Sequence, residues 1–167
     1  RYRNSIIKTV NYNKMKKYSK LIIAVFSMAV LFTSCNKTKS TSKRFMKAGE
    51  WTVTELSVDG VSQEELPHWV VSDCDIYNES CTGSWRNDEG GATDFVWQVS
   101  NKGESFTISR QGPDEGLEHA DEEMATQCFE FSGTYEVVES KKTKMKFTSN
   151  TTEGFSGQSA IITIEKE

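Results

Sequence analysis

The side chains most able to do chemistry here are four cysteines and two histidines, and their surroundings divide them. Cys35 stands where the apolar run Leu21–Phe32 (LIIAVFSMAVLF) and the small pair Thr33-Ser34 give way to a Lys/Ser/Thr-rich stretch. A helix that short falls well below the roughly 20 apolar residues that span a bilayer. Ahead of it, KMKKYSK places Lys14, Lys16, Lys17 and Lys20 as the positive flank of a secretory signal. An exported chain meets an oxidising compartment, where the downstream thiols Cys74, Cys81 and Cys128 can pair. Cys74 and Cys81 are near enough to close a short loop and are the favoured disulfide. Cys81 with Cys128 is the competing pair. Cys128 alternates with Phe129, which turns it away from the Phe129/Phe131 face and leaves it free.

Catalysis finds little footing. His68 and His119 each fall in a loop-like stretch with no nucleophile at a recognisable spacing. The chain has no G-x-S-x-G, no H-E-x-x-H and no glycine-rich phosphate loop, so it is not expected to be an enzyme. Two groups of oxygen donors, Asp73/Asp75/Glu79 and Asn87/Asp88/Glu89, lack the residue order of a calcium loop and read as solvated turns. The acidic run Asp114–Glu123 reads as a charged, solubilising face. No metal and no cofactor are expected.

The register of lysines, apolar run, small residues and Cys35 resembles the lipobox of bacterial lipoproteins. In that family the cysteine thiol is diacylglycerylated, the chain is cut just before it, and the new N-terminus is usually acylated. Ser34 matches the small residue preferred before the cysteine, while Phe32 stands where Leu is preferred and Leu31 lies one residue further out. The resemblance implies lipidation at Cys35, with palmitate among the acyl chains expected. Two or more chains give a stable anchor where one holds only reversibly. Asn36 and Lys37 follow, with no aspartate at the second position and no acidic run nearby. In lipoproteins of this kind those absences point to the periplasmic leaflet of the outer membrane in a Gram-negative cell.

On this reading residues 1–14 are upstream translation before Met15, 15–34 the signal peptide, 35–47 a polar tether without core residues, and 48–167 one β domain. Residues 1–34 hold seven Lys/Arg and no acid, so the remainder carries thirteen basic against twenty-four acidic residues. Such a balance repels nucleic-acid phosphates and anionic headgroups, which excludes nucleic acid as an expected partner and leaves membrane attachment to the lipid.

From Trp51 onward the apolar period is two, the period of strands. EWTVTELSV ends at Asp59-Gly60, a hairpin-turn pair. DFVWQVS and SFTISR form a hairpin around NKGE; QCFEFSGTYEVVE, KMKFTS and SAIITIEK supply further strands, with Gly133 at a bend or bulge. Gln63–Trp69 is expected to be a loop or one helical turn broken by Pro67, and Leu117–Met124 a short helix or part of a loop. The expected fold is all-β: an antiparallel meander of seven to eight strands, closed into a barrel or, alternatively, packed as a β-sandwich.

Gly49-Glu50-Trp51, opening the first strand, is similar to the G-x-W motif of lipocalins, in which the tryptophan plugs the closed end of an eight-stranded barrel. The resemblance implies that Gly49 and Trp51 close the barrel. An ordinary core tryptophan is the plainer alternative. If the other end is open, Phe95, Trp97, Phe106, Phe129 and Phe131 are candidates to line a cavity for one small apolar ligand. A cavity wall packs loosely, so truncating Trp97 is then expected to cost less stability than truncating Trp51. Two functions follow: a lipid-anchored cup for a small apolar ligand, or an interaction lipoprotein that docks on another envelope protein and holds no ligand. A filled interior favours the second.

Overall fold

The computed structural model describes residues 37–72, 74–75, 80–110 and 121–166. The signal segment, Cys35, Asp73, Glu79, His119 and most of the acidic run lie outside the described residues.

The described residues form nine strands: β1 (Glu50–Val58), β2 (Val61–Ser62), β3 (His68–Val71), β4 (Cys81–Arg86), β5 (Ala92–Ser100), β6 (Ser105–Arg110), β7 (Gly133–Ser140), β8 (Lys144–Ser149) and β9 (Ala160–Glu165). Every strand pair is antiparallel, and β9 pairs back onto β1, so β1 and β3–β9 form a closed eight-stranded barrel. Closure leaves no long exposed edge, which decides for the barrel over the sandwich. The two-residue β2 folds back on β1 through Asp59 and Gly60, whose φ values of 49° and 80° are those of the tight turn their types allow.

Inward residues follow the alternation. β5 turns in Thr93, Phe95, Trp97 and Val99; β4 turns in Cys81, Gly83 and Trp85. In β1 a register shift between Val53 and Glu55 inserts one extra residue, so Trp51 and Val53 point inward, then Leu56 and Val58. Without that bulge the second half of the strand would present its apolar residues to water.

Two helices depart from the sequence-based expectations. The stretch 35–47 is expected to be a tether, yet residues 37–48 are helical (α1) and bury Thr41, Ser42 and Phe45 on one face. Gly49, at φ 74°, ends α1, as glycine at a helix C-terminus commonly does. The second correction concerns QCFEF, expected to begin a strand; Glu122–Glu130 is instead the helix α2, and β7 starts only at Gly133. Asp121 caps α2 by accepting a hydrogen bond from Met124 N at 3.0 Å, and Glu122 and Glu123 favour the positive end of the helix dipole. Met124, Cys128 and Phe131 then fall at helical spacing and are buried. The stretch expected to be a loop around Pro67 also differs, since His68 and Trp69 belong to β3.

The strand ends show what each helix covers. Gly103, in the β5–β6 turn, is so close to α1 that a Cβ there would lie 3.0 Å from Lys37 O and from Thr41 Oγ1. Arg44 Nη1 of α1 donates to Ser140 O, at the end of β7, at 2.6 Å. Helix α1 therefore caps the end where the β5–β6 and β7–β8 turns lie. Helix α2 caps the other: Gln127 Oε1 accepts from Trp85 Nε1 at 2.9 Å, and Gln127 Nε2 donates to Glu65 O at 3.1 Å.

Cys74 and Cys81 form the disulfide, with Cα atoms 5.8 Å apart, and Cys128 is free. The loop-entropy account assigns a bridge of this span about 2.5 kcal/mol. Cys128 stays out of it for a reason other than strand alternation: it lies on the inner face of α2, at the barrel end opposite Cys81.

Candidate functional site

The barrel interior is where a lipocalin-like fold would hold a ligand, so its contents decide what the molecule can do. Four of the expected lining residues, Phe95, Trp97, Phe106 and Phe131, are buried. Phe129 is not among them; it lies on the outer side of α2 and is 50% exposed, because a helix sends positions 129 and 131 in different directions where a strand would align them. Phe131 packs beside Phe155, with ring centroids 5.1 Å apart, below the barrel rather than along its wall.

The remaining rings meet one another across the lumen. Phe106 on β6 stacks on Phe147 of β8 at 4.5 Å, and Trp69 on β3 reaches Phe106 at 6.3 Å and Phe147 at 6.5 Å. Trp69 also lies 5.2 Å from Trp85 and 5.6 Å from Phe95. These separations are those of rings in direct contact. Into the centre α1 inserts Phe45, which is 0% exposed, with its ring 4.7 Å from Trp97, 4.9 Å from Phe106, and 6.0 Å from both Trp51 and Trp69. Side chains from opposite walls, and from the cap, meet one another across the lumen.

Hydrogen bonds hold three of the four indoles in place. Trp51 Nε1 donates to Phe45 O at 2.8 Å, Trp85 Nε1 to Gln127 Oε1, and Trp97 Nε1 to Thr82 O at 3.1 Å. Trp69 Nε1 is buried without an acceptor among the described residues. The Trp51 indole is thus tied to α1, and Trp51 lies opposite Trp69 in the β1–β3 ladder. Sequence reasoning missed Phe45. The signal was present as Thr41, Ser42, Phe45 and Gly49 at helical spacing, but two of those are polar residues.

Trp97, expected to belong to a loosely packed wall, is 2% exposed and packed as closely as Trp51. Open grooves lie outside the barrel. One of about 480 Å³ runs between Gln63 and the Glu122, Glu123, Gln127 and Glu130 face of α2. Another of about 340 Å³ is lined by Arg110, Phe129, Ser132 and Glu153 among others.

Burial pushes the Cys128 thiol up to about 12, against a smaller opposing pull from Arg110, and burial raises the Tyr135 phenol as well. Tyr135 Oη donates to Phe131 O at 2.6 Å, and Ser132 Oγ donates to Cys128 O at 2.8 Å. Both bonds lock the α2–β7 corner. His68 is part of a strand rather than a free loop, with Nδ1 3.7 Å from Asp88 Oδ1. Asn87 Oδ1 is engaged by Gly91 N at 2.7 Å, a turn contact within the group weighed for calcium. No cluster of metal-ligating side chains occurs among the described residues.

Fold and site together define a closed eight-stranded antiparallel barrel with a core rich in aromatic side chains, of a kind compatible with the lipocalin-like class. Compared with protein-family models and with curated proteins, the chain matches none.

Proposed function

We propose that this chain is a lipid-anchored lipoprotein of the bacterial envelope, whose barrel is a solid body for docking on another envelope protein. The observation that carries this choice over a ligand cup is Phe45. A cup needs an empty lumen, and here the centre of the lumen is taken by a ring from the capping helix, in contact with Trp97 and Phe106. A small apolar ligand could enter only if α1 left, which would strip Trp51 of its hydrogen-bond acceptor. The reading assigns no catalytic role.

Export is supported by the Cys74–Cys81 disulfide, since such bridges persist in oxidising compartments. Anchoring rests on the sequence around Cys35, and the periplasmic face of the outer membrane is the location its flanking residues favour. Two measurements test the proposal. Mass spectrometry of protein from membranes should show a chain beginning at acylated Cys35, and Cys35→Ala should leave an uncut, unlipidated precursor. Recovery of a Cys35→Ala chain cut after Ser34 in the same membrane fraction would remove the anchor from the proposal. An apolar fluorescent probe should find no saturable site in the wild type; a stoichiometric interior site would restore the cup.

A further inference from the structure

The acidic balance of the chain downstream of residue 34 implies a surface that repels anionic headgroups. The fold distributes that charge unevenly. Helix α1 carries Lys37, Lys39, Lys43, Arg44 and Lys47 and no acidic residue. Lys37, Lys43, Arg44 and Lys47 are exposed, while Thr41, Ser42 and Phe45 occupy the buried face. The turns beside α1 add exposed Lys102, Lys141 and Lys142. Of the acids at this end, Glu104 pairs with Lys37 at 3.4 Å, Glu139 with Lys141, and Glu165 with Lys144 at 2.6 Å; Glu50 is exposed.

The other end has the opposite sign. Glu64, Glu65, Asp88, Glu89, Glu122 and Glu123 gather around α2 and its neighbouring turns. They are close enough to feel one another: Glu123, above all, holds the Glu65 carboxyl above the ordinary carboxylate range.

We infer that the α1 end is a membrane-facing surface that binds the anionic headgroups of a lipid bilayer and stands the barrel upright on it. The orientation rests on the lipid-anchor reading. Only Asn36 stands between Cys35 and Lys37, two Cα–Cα steps that reach at most about 7 Å, so a lipid on Cys35 leaves no free tether. The basic cap is then held at the headgroups, within the distance over which salt leaves their charge effective. The acidic end is repelled and points away, towards whatever the barrel docks upon.

The test compares full-length protein, wild type against Lys43→Gln/Lys47→Gln, on vesicles of phosphatidylcholine alone and of equal parts phosphatidylcholine and phosphatidylglycerol. The apolar run is common to both proteins, so the ratio of the two affinities isolates charge. Each lysine near an anionic surface contributes about a fivefold preference, and the pair should lower the ratio roughly 25-fold. In the wild type the ratio should collapse as salt rises. Hydrogen exchange on the mixed vesicles should slow in α1 and the 101–104 turn and stay unchanged in the 87–90 turn. An unchanged ratio in the double variant, protection at the 87–90 turn, or retention of a nucleic acid or acidic protein at α1 without vesicle preference would each overturn the inference. Failure of the anchor is read separately, from Cys35→Ala in cells, and leaves the vesicle ratio unaffected.

Discussion

Replacing Phe45 with alanine separates a structural cap from a tether. The side chain is 0% exposed, and its ring lies within 6.0 Å, centroid to centroid, of Trp51, Trp69, Trp97 and Phe106. Truncating a phenylalanine so enclosed costs about 3 to 5 kcal/mol, since the transfer energy of the ring is lost and the surrounding indoles cannot collapse into the gap. A domain of this size has about 5 to 15 kcal/mol in all, so the change consumes a large share. In thermal unfolding it corresponds to a fall in Tm of roughly 10 to 20 °C. Urea titration followed by tryptophan fluorescence reads the same loss, with the midpoint lowered and the slope unchanged. The cavity left would be apolar and ring-shaped, and such cavities stay dry and take up small aromatics. Benzene or indole should therefore raise the stability of Phe45→Ala and not of the wild type. A tether residue would lose less than about 0.5 kcal/mol, the usual effect of a surface change. A result of that size, with no aromatic rescue, would refute the plug.

Three further outcomes follow from the same packing. Trp97→Ala and Trp51→Ala should each destabilise by about 3 to 5 kcal/mol, because neither lines a loose wall; a cost below about 1 kcal/mol at Trp97 would reopen the cup. Cys128, buried and with its thiol pushed up to about 12, should resist iodoacetamide in the native protein at neutral pH and react at once in denaturant; native alkylation at the unfolded rate would contradict its place on the inner face of α2. Glu55 accepts hydrogen bonds from Thr163 at 2.7 Å and Lys146 at 3.0 Å, which hold its carboxyl below the ordinary range, Thr163 contributing most. Its contribution is present above the unfolded carboxylate pKa and lost as pH falls through the lower folded value, so Glu55→Gln should flatten the acid limb of the stability curve; identical acid limbs would show that the pair contributes nothing.

Much of the barrel was legible from residue order. Phe95, Trp97 and Val99 alternate along β5, Phe106 and Ile108 along β6, and Met145 and Phe147 along β8, because a strand places every second side chain on one face. Asp59-Gly60, and Asn101 and Gly103 in the β5–β6 turn, announced themselves by residue types that tolerate positive φ. The Cys74–Cys81 pair followed from its short separation. Where two periods fit one stretch, local pattern was insufficient. Phe129 and Phe131 alternate as in a strand, yet Met124, Cys128 and Phe131 also fit a helix, and the Asp121 cap together with burial under the barrel chose the helix. Helix α1 was less legible still, since the polar Thr41 and Ser42 face the interior beside Phe45, while Met46 and Ala48 are only partly buried.

The difference between a cup and a solid barrel is entirely tertiary. Alternation places Trp69, Phe106 and Phe147 inward, but whether rings on opposite walls touch depends on the barrel's width, and whether the centre stays open depends on a ring arriving from outside the sheet. The segregation of charge has the same origin. Lysines in α1 and in two hairpin turns are distant in sequence, and an up-and-down barrel gathers them at one end because every second turn falls there.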